Sequence, residues 1–378
     1  MTPALEVRPL AGSRGMRDWL RVPHLVYADD PVWVAPLDLL ERYRVSRAHA
    51  PIFSSGDAQF FLAYRGDRPV GRISAHFDRR YLELHADGTG NFGFFECLED
   101  PEAASTLVAA AADWLKNRGL SRMVGPLNFT TNEECGCLIS GFDTPPAVLM
   151  PHGRPWTGSL LEGAGLSKEV DLFAYRSAPA ELAARIARIA AYADPGSLMS
   201  VRFLDPRRFA QDIDLLVDIF NDAWSANWGF VPLSRNEIEQ LVSRTRWLVR
   251  DNLVRFGMVE GKAVAVAVTL PNLNEVIAPF HGRLLPFNWA KLIWKFWVGD
   301  IHSGRVSLLG VRRAYQSTPL GGAFLALVVR DMFTHSQRYT PDWLEFSWVL
   351  ETNKRMVALA KRFAGPPSKV YRIFSRAI

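Results

Sequence analysis

Ser307-Leu-Leu-Gly-Val-Arg-Arg-Ala-Tyr-Gln-Ser-Thr-Pro-Leu-Gly-Gly-Ala-Phe-Leu-Ala326 is the stretch on which the reading of this chain turns. The apolar run Val306 to Val311 predicts a buried strand. A polar turn follows, and the pair Gly321-Gly322 opens a helix expected over 321–333. Glycines at a helix start let the backbone approach an anion closely, while free N–H groups and the helix dipole stabilise its charge. Arg312 and Arg313 add counter-charge. Taken alone, the pattern also describes an ordinary strand-turn-helix crossover.

Working outward, the second half alternates strands and helices. Val201 to Leu204 reads as a strand and Phe209 to Trp224 as an amphipathic helix with Ile213, Leu216, Val217 and Phe220 on one stripe. Leu253 to Glu260 and Ala263 to Leu270 form a hairpin. After the 306–333 unit come a strand at Trp343 to Val349, a helix at Asn353 to Phe363 and a last strand at Val370 to Phe374. The first half shows the same order: strands at Gln59 to Tyr64, Val70 to Phe77 and Gly93 to Cys97, a Pro-led helix at Pro101 to Lys116, a strand from Met123, a short helix at Pro155 to Gly165, and a strand at Val170 to Tyr175. The expected organisation is therefore residues 1–178, a helical connector over 179–200, and residues 201–378.

Strand, anion loop, helix, strand, the helix after Asn353 and the closing Tyr371-Arg372 strand together resemble the GNAT acyltransferases. That resemblance implies an α/β fold with a mixed sheet, here two GNAT-like domains in tandem. It implies an acyl-CoA co-substrate held by Leu309, Gly310, Val311, Arg312, Gln316, Leu320, Gly321, Gly322 and Asn353, with the oxyanion donor coming from Leu309, Gly310 or Val311. The family loop Gln/Arg-x-x-Gly-x-Gly/Ala reads Gln316-Ser-Thr-Pro319-Leu320-Gly321-Gly322 here, so Pro319 replaces a glycine and removes one N–H. Ala360 stands where many members carry a tyrosine acid. The corresponding first-half loop, Glu96-Cys-Leu-Glu99-Asp100-Pro101-Glu102, suits the helix dipole but repels a pyrophosphate. The N-terminal domain is accordingly read as degenerate.

The acceptor is expected beside Asn221, Trp224, Asn227 and Trp228, where aromatic walls with few polar groups suit a ligand pocket. Asn274 and Arg283 join this set. With Gly125-Pro-Leu-Asn128 and Asn132-Glu-Glu134, they resemble a subgroup of bacterial tandem GNAT-like proteins that includes the bacterial ceramide synthases, which N-acylate a sphingoid base. Glu237, Glu351 and His281 are the candidate proton acceptors for such a reaction, and His76 and Asp78 end a first-half strand, either facing a cleft shared by the halves or lying on an edge strand.

Leu284 to Val298, LLPFNWAKLIWKFWV, predicts a helix with Trp289, Leu292, Ile293, Phe296 and Trp297 on one face and Asn288, Lys291 and Lys295 on the other. That pattern fits a helix lying on an anionic membrane surface or buried in an interface. The net charge of +5 is spread along the chain and argues against a nucleic-acid binder. Three cysteines and eight scattered histidines offer no metal-ligand spacing. The expectation is a cytoplasmic N-acyltransferase, peripheral on the inner face of the membrane through 284–298. Its donor is acyl-CoA or an acyl carrier protein thioester, and its acceptor a lipid amine. The alternatives are an acetyl-CoA-dependent N-acetyltransferase of a small amine and an inactive lipid-binding protein.

Overall fold

The computed structural model describes residues 3–178, 181–182, 199–233, 253–298, 301–316, 318, 321–324, 327–328, 331 and 341–378. Its strands are β1 (Leu5–Pro9), β2 (Gly56–Arg65), β3 (Arg68–Asp78), β4 (Thr89–Cys97), β5 (Arg122–Gly125), β6 (Cys137–Ser140), β7 (Ser167–Ser177), β8 (Met199–Phe203), β9 (Val254–Val259), β10 (Lys262–Pro271), β11 (Ser303–Val311), β12 (Trp343–Leu350) and β13 (Lys369–Ala377). All join one mixed sheet in the order β1-β2-β3-β4-β5-β13-β7-β12-β11-β10-β9-β8, with β6 paired to β13. The fold is the expected mixed α/β arrangement of two GNAT-like halves.

The order within that sheet holds a feature that the sequence does not display. β13, the last strand of the chain, lies between β5 and β7 of the first half, and β7 pairs with β12 of the second. The two halves thus exchange their closing strands. Tyr371 and Tyr175 sit fully buried in this shared centre.

Local chemistry explains the main helices. Pro101 occupies the first turn of the helix Pro101–Lys116, where its missing N–H costs nothing, and the Asp100 side chain caps it by accepting from Ala103 N at 3.1 Å. Its Leu107 and Leu115 lie so close to the sheet that a Cβ on Gly71 or Gly90 would meet them at 2.8 and 2.5 Å. The helix Phe209–Trp224 matches its expected span and buries Ile213, Leu216, Ile219 and Phe220. The helix Asn288–Val298 begins later than expected, beyond Pro286. Residues 321–324, 327–328 and 331 are helical. Most of the expected connector, together with Glu237, Pro319 and Leu320, lies outside the described residues.

Candidate active site

Each half contains a fork between two parallel strands. β11 and β12 pair only from Ser303↔Trp343 to Val306↔Phe346, after which β11 continues beside β10 and β12 beside β7. The divergence begins at a β-bulge, since Val268 pairs with Leu308 but Thr269 with Val306, leaving Ser307 as the extra residue. β4 and β5 likewise pair only from Thr89↔Arg122 to Asn91↔Val124, and β4 carries a matching bulge between its pairings with Arg72 and Ser74.

The two forks differ in what fills them. In the first half the chain leaving β5 closes the gap. Leu127 N donates to Phe92 O at 2.7 Å, Phe94 N donates to Asn128 Oδ1 at 2.7 Å, and a Cβ on Gly93 would lie 1.9 Å from Leu127 O. The neighbouring helix start is also taken. Arg65 holds both oxygens of Asp100 at 2.6 and 2.9 Å and reaches Glu102 at 2.6 Å. No comparable crossing of the second-half fork occurs among the described residues. Among the described residues, the backbone of Ser307–Val311 has β10 on one edge and no strand on the other.

The two faces of this fork have different chemistry. On one, Leu309 and Phe346 pack with Leu182, Leu359 and Phe363. On the other, Arg305 (3% exposed), Glu345 (0%) and Ser347 form a buried polar group. Arg305 Nε donates to Ser347 Oγ at 3.0 Å, its Nη1 to Leu149 O at 3.1 Å, and its guanidinium lies 4.5 Å from the Trp348 ring. Ser347 Oγ donates to Glu345 Oε1 at 3.0 Å, whereas Glu345 Oε2 and the Tyr371 hydroxyl have no hydrogen-bond partner among the described residues. Burial raises the Glu345 carboxyl above its ordinary range. Burial also pushes the nearby Lys369 amine down to about 8; this amine donates to Gly141 O and Thr144 O at 2.8 and 2.6 Å.

The residues expected to hold the donor lie on and after this fork in the chain, Leu320 among them falling outside the described residues. Trp224 stacks on Phe220 and lies over Gly310, where an added Cβ would stand 2.1 Å from its ring. Arg312 Nη2 donates to Asp218 at 2.5 Å, and Arg313 N donates to Asp222 at 2.8 Å. Gln316 Nε2 donates to Val311 O and Ala223 O. These contacts fasten the expected anion loop to the helix Phe209–Trp224. Gly321 is set against Tyr315 O, 2.3 Å from where its Cβ would be, whereas Gly322 has open space. Asn353 caps the helix Lys354–Ala364 by accepting from Met356 N at 3.1 Å.

The expected acceptor residues are more dispersed. Asn221 clamps Leu233 through both its amide groups, at 2.9 and 3.0 Å. Trp228 packs near Trp348 and donates to Glu169 at 3.1 Å, joining the second half to β7. Asn227 lies in the turn after Trp224, where its N–H donates to Trp224 O. Asn274 Nδ2 donates to Pro146 O and Ala147 O, and the exposed Arg283 follows the turn at His281 and Gly282. His281 is exposed with φ 47°. Glu351 accepts from Asp171 N at 3.0 Å and Lys168 Nζ at 2.8 Å. No contact joins Glu351 to His281 among the described residues.

A second charged group, absent from the expected site, lies in the first half. Arg44 lies between Glu41, Glu133 and Glu134, while Arg72 lies between Glu41 and Glu96. A crevice of about 470 Å³ opens behind Arg42 and Val45, lined by Met16, Phe53 and Phe60. In sequence, Arg305 and Glu345 were visible as lone charges in apolar strands, but strand alternation reads such residues as a solvated face. Arg44 and Glu41 come from the helix Asp38–Arg44, whose seven residues give too little periodicity to place. Among the described residues no group of three or more His, Cys, Asp or Glu could hold a metal ion.

No family model matches the chain. It is 37% identical over 377 residues to the bacterial ceramide synthase of Caulobacter vibrioides, covering 99% of this chain and 98% of the relative. It is 35% identical over 372 residues to Protein YghO of Escherichia coli K12, covering 98% and 95%. Among solved structures, a tandem GNAT protein from the clavulanic acid biosynthesis pathway matches with a TM-score of 0.54 at 12% identity, over 99% of this chain and 98% of that one. A GCN5-related N-acetyltransferase from Sphaerobacter thermophilus gives a TM-score of 0.55 at 12% identity, covering 100% and 97%. These two share the fold. The chain belongs to the family of the bacterial ceramide synthase of Caulobacter vibrioides, and it carries the fold of the tandem GNAT proteins.

Proposed function

We propose that this chain transfers a long-chain acyl group from an acyl-CoA thioester to the primary amine of a sphingoid-type amino lipid. The observation that carries the reading is the contrast between the forks: the first is plugged by its own chain and the second has a free backbone edge at Ser307–Val311. A free edge supplies N–H groups in fixed positions, and such donors stabilise the oxyanion that forms when an amine attacks a thioester carbonyl. The residues present fit a coenzyme A thioester at this fork. Apolar Leu309 and Phe346 border it, and the helix start at Gly322 has open space. When bound, that group supplies an activated acyl carbon with a thiolate leaving group. Leu309, Gly310 and Val311 would border its thioester, and Gly322 with Arg313 would hold its phosphates.

A lipid acceptor is supported by the surface. Leu285, Phe287, Trp294 and Trp297 are 68, 75, 62 and 63% exposed, and Leu39 and Leu40 of the helix Asp38–Arg44 are 53 and 55% exposed. Asp38 N donates to Gly282 O at 2.9 Å, which brings the two segments together. Contiguous apolar surface beside Lys291 and Lys295 suits a lipid headgroup boundary, so the protein works as a peripheral membrane enzyme. No helix among the described residues is long and apolar enough to cross a membrane. The name of the Caulobacter vibrioides relative agrees with this substrate class.

The test is amide formation from palmitoyl-CoA and sphinganine, followed by mass spectrometry. The wild type forms the N-acyl product, and Gly322→Glu lowers kcat/KM at least tenfold without a change in Tm. Acylation confined to acetyl-CoA and water-soluble amines would overturn the reading.

A further inference from the structure

The crevice in the first half has walls of two kinds, and the fork makes no use of it. Its volume of about 470 Å³ falls within the range of small-ligand sites. Met16, Val45, Phe53 and Phe60 make it apolar, Arg42 and Arg47 stand on it as cations, and no acidic side chain lines it among the described residues. Arg42 is exposed and makes no hydrogen bond or ion pair among those residues. Arg47 is 76% exposed, lies 5.0 Å from the Phe53 ring and meets Asp57 at 3.4 Å, but that carboxylate is shared with Arg118 at 3.5 Å. The crevice thus presents positive charge beside apolar wall and leaves that charge largely uncompensated, which suits an anion carrying an apolar part.

The position of the crevice points to the source of that anion. Arg42 belongs to the helix Asp38–Arg44, three residues beyond Leu39, so the two lie toward the same side of the helix. Leu39 and Leu40 are exposed, and Asp38 N ties this helix to Gly282 O at 2.9 Å, just before the exposed Leu285 and Phe287. The helix therefore links the crevice to the apolar surface that suits a lipid boundary. We propose that the crevice binds the head of an anionic phospholipid, with its phosphodiester against Arg42 and Arg47 and its glycerol and first chain carbons along Met16, Phe53 and Phe60.

The lining defines the ligand further. Guanidinium groups present a planar fork of N–H donors that matches phosphate oxygens. Gly12, at the start of the helix Gly12–Val26, also lines the crevice. That helix has no acidic residue in its first turn and no side-chain cap at Ala11, so its dipole adds potential of the same sign as the two arginines. A free phosphate would engage the cations and leave the apolar walls uncovered, whereas an uncharged chain would cover the walls and leave the cations unused. A phospholipid head meets both. It would seat the protein in one orientation on the membrane through first-half residues that take no part in the fork.

This inference rests on the proposed membrane-bound transferase, and the experiment separates the two. Dihexanoylphosphatidylglycerol, dihexanoylphosphatidylcholine and glycerophosphate, all as soluble monomers, are titrated calorimetrically into the full-length protein and three variants. Arg42→Gln with Arg47→Gln removes both cations. Ala11→Trp, at an exposed position of extended backbone on the crevice wall, fills the space and leaves every charge in place. Arg17→Gln with Arg21→Gln removes two exposed cations that do not line the crevice. Phosphatidylglycerol is expected to bind the wild type at least tenfold more tightly than either other compound. The first two variants are expected to lower that affinity at least tenfold, and the third to leave it within about twofold. Equal or absent binding of the two lipids, glycerophosphate binding as tightly as phosphatidylglycerol, or undiminished binding by folded Ala11→Trp overturns the site. Each of these results leaves the transferase reading intact if the wild type still forms the amide from palmitoyl-CoA and sphinganine. Crevice binding as expected, with no amide product, would do the reverse.

Discussion

His76 shows how far a residue's surroundings can depart from what its sequence position suggests. Read at the end of a strand, on an edge or facing a cleft shared by the halves, it is wholly buried, with Nε2 3.2 Å from Phe129 O and Nδ1 3.3 Å from Ser74 Oγ. Burial lowers its pKa from 6.5 to about 4. Between those values the unfolded chain binds a proton that the folded chain refuses, so stability falls as pH drops through this window. At about 1.4 kcal/mol per pKa unit the loss is on the order of 3 kcal/mol. His76→Gln removes the titration and retains an amide donor for Phe129 O. Melting curves between pH 7 and 4 are therefore expected to fall less steeply for the variant than for the wild type, and parallel curves would refute the argument. Gly310 makes the complementary point. The sequence marked it as backbone exposed to a donor, but the Trp224 ring above it is a second, purely steric reason for glycine that only three-dimensional packing could show.

At the scale of elements, legibility followed periodicity and punctuation. The helices Pro101–Lys116 and Phe209–Trp224 were readable to the residue because a proline or a sharp apolar stripe marks each. β1 and the helices Gly12–Val26 and Asp38–Arg44 were not placed. The first of those helices contains Gly15 and Pro23, which ordinarily argue against a helix, and tertiary burial of Trp19, Val22 and Val26 overrides that preference. The helix Asn288–Val298 was seen as amphipathic, but its two faces have unequal work. Phe296 is 2% exposed and packs with Leu37, Val276 and Phe280, whereas Trp294 and Trp297 stand outward. Phe296→Ala is accordingly expected to cost about 3–5 kcal/mol in urea unfolding. Trp294→Glu with Trp297→Glu is expected to leave the midpoint within about 0.5 kcal/mol of the wild type while lowering sedimentation with phosphatidylglycerol vesicles at least tenfold. Unchanged vesicle binding by the folded double variant would show that this face meets something other than a lipid surface.

For the whole molecule, the sequence displayed two similar halves, and it was natural to draw a boundary near residue 200. Strand exchange cannot be read that way, because which strand pairs with which is decided by contacts hundreds of residues apart. β13 hydrogen-bonds to β5 on one side and β7 on the other, and β7 continues the sheet to β12. Each half therefore owes a central strand to the other. Removing β13 would expose the edges of both β5 and β7, and unpaired edges in a sheet centre leave many backbone groups without partners. Scanning calorimetry of the full chain is expected to show one unfolding transition with calorimetric and van't Hoff enthalpies in agreement, as for a single cooperative unit. Residues 1–178 and 201–378 expressed separately are expected to be aggregated or largely unfolded, and to regain the full chain's melting behaviour only when refolded together. Two separated transitions, or a stably folded and monomeric 201–378 fragment, would show that the exchanged strands are dispensable and that the halves fold as independent units.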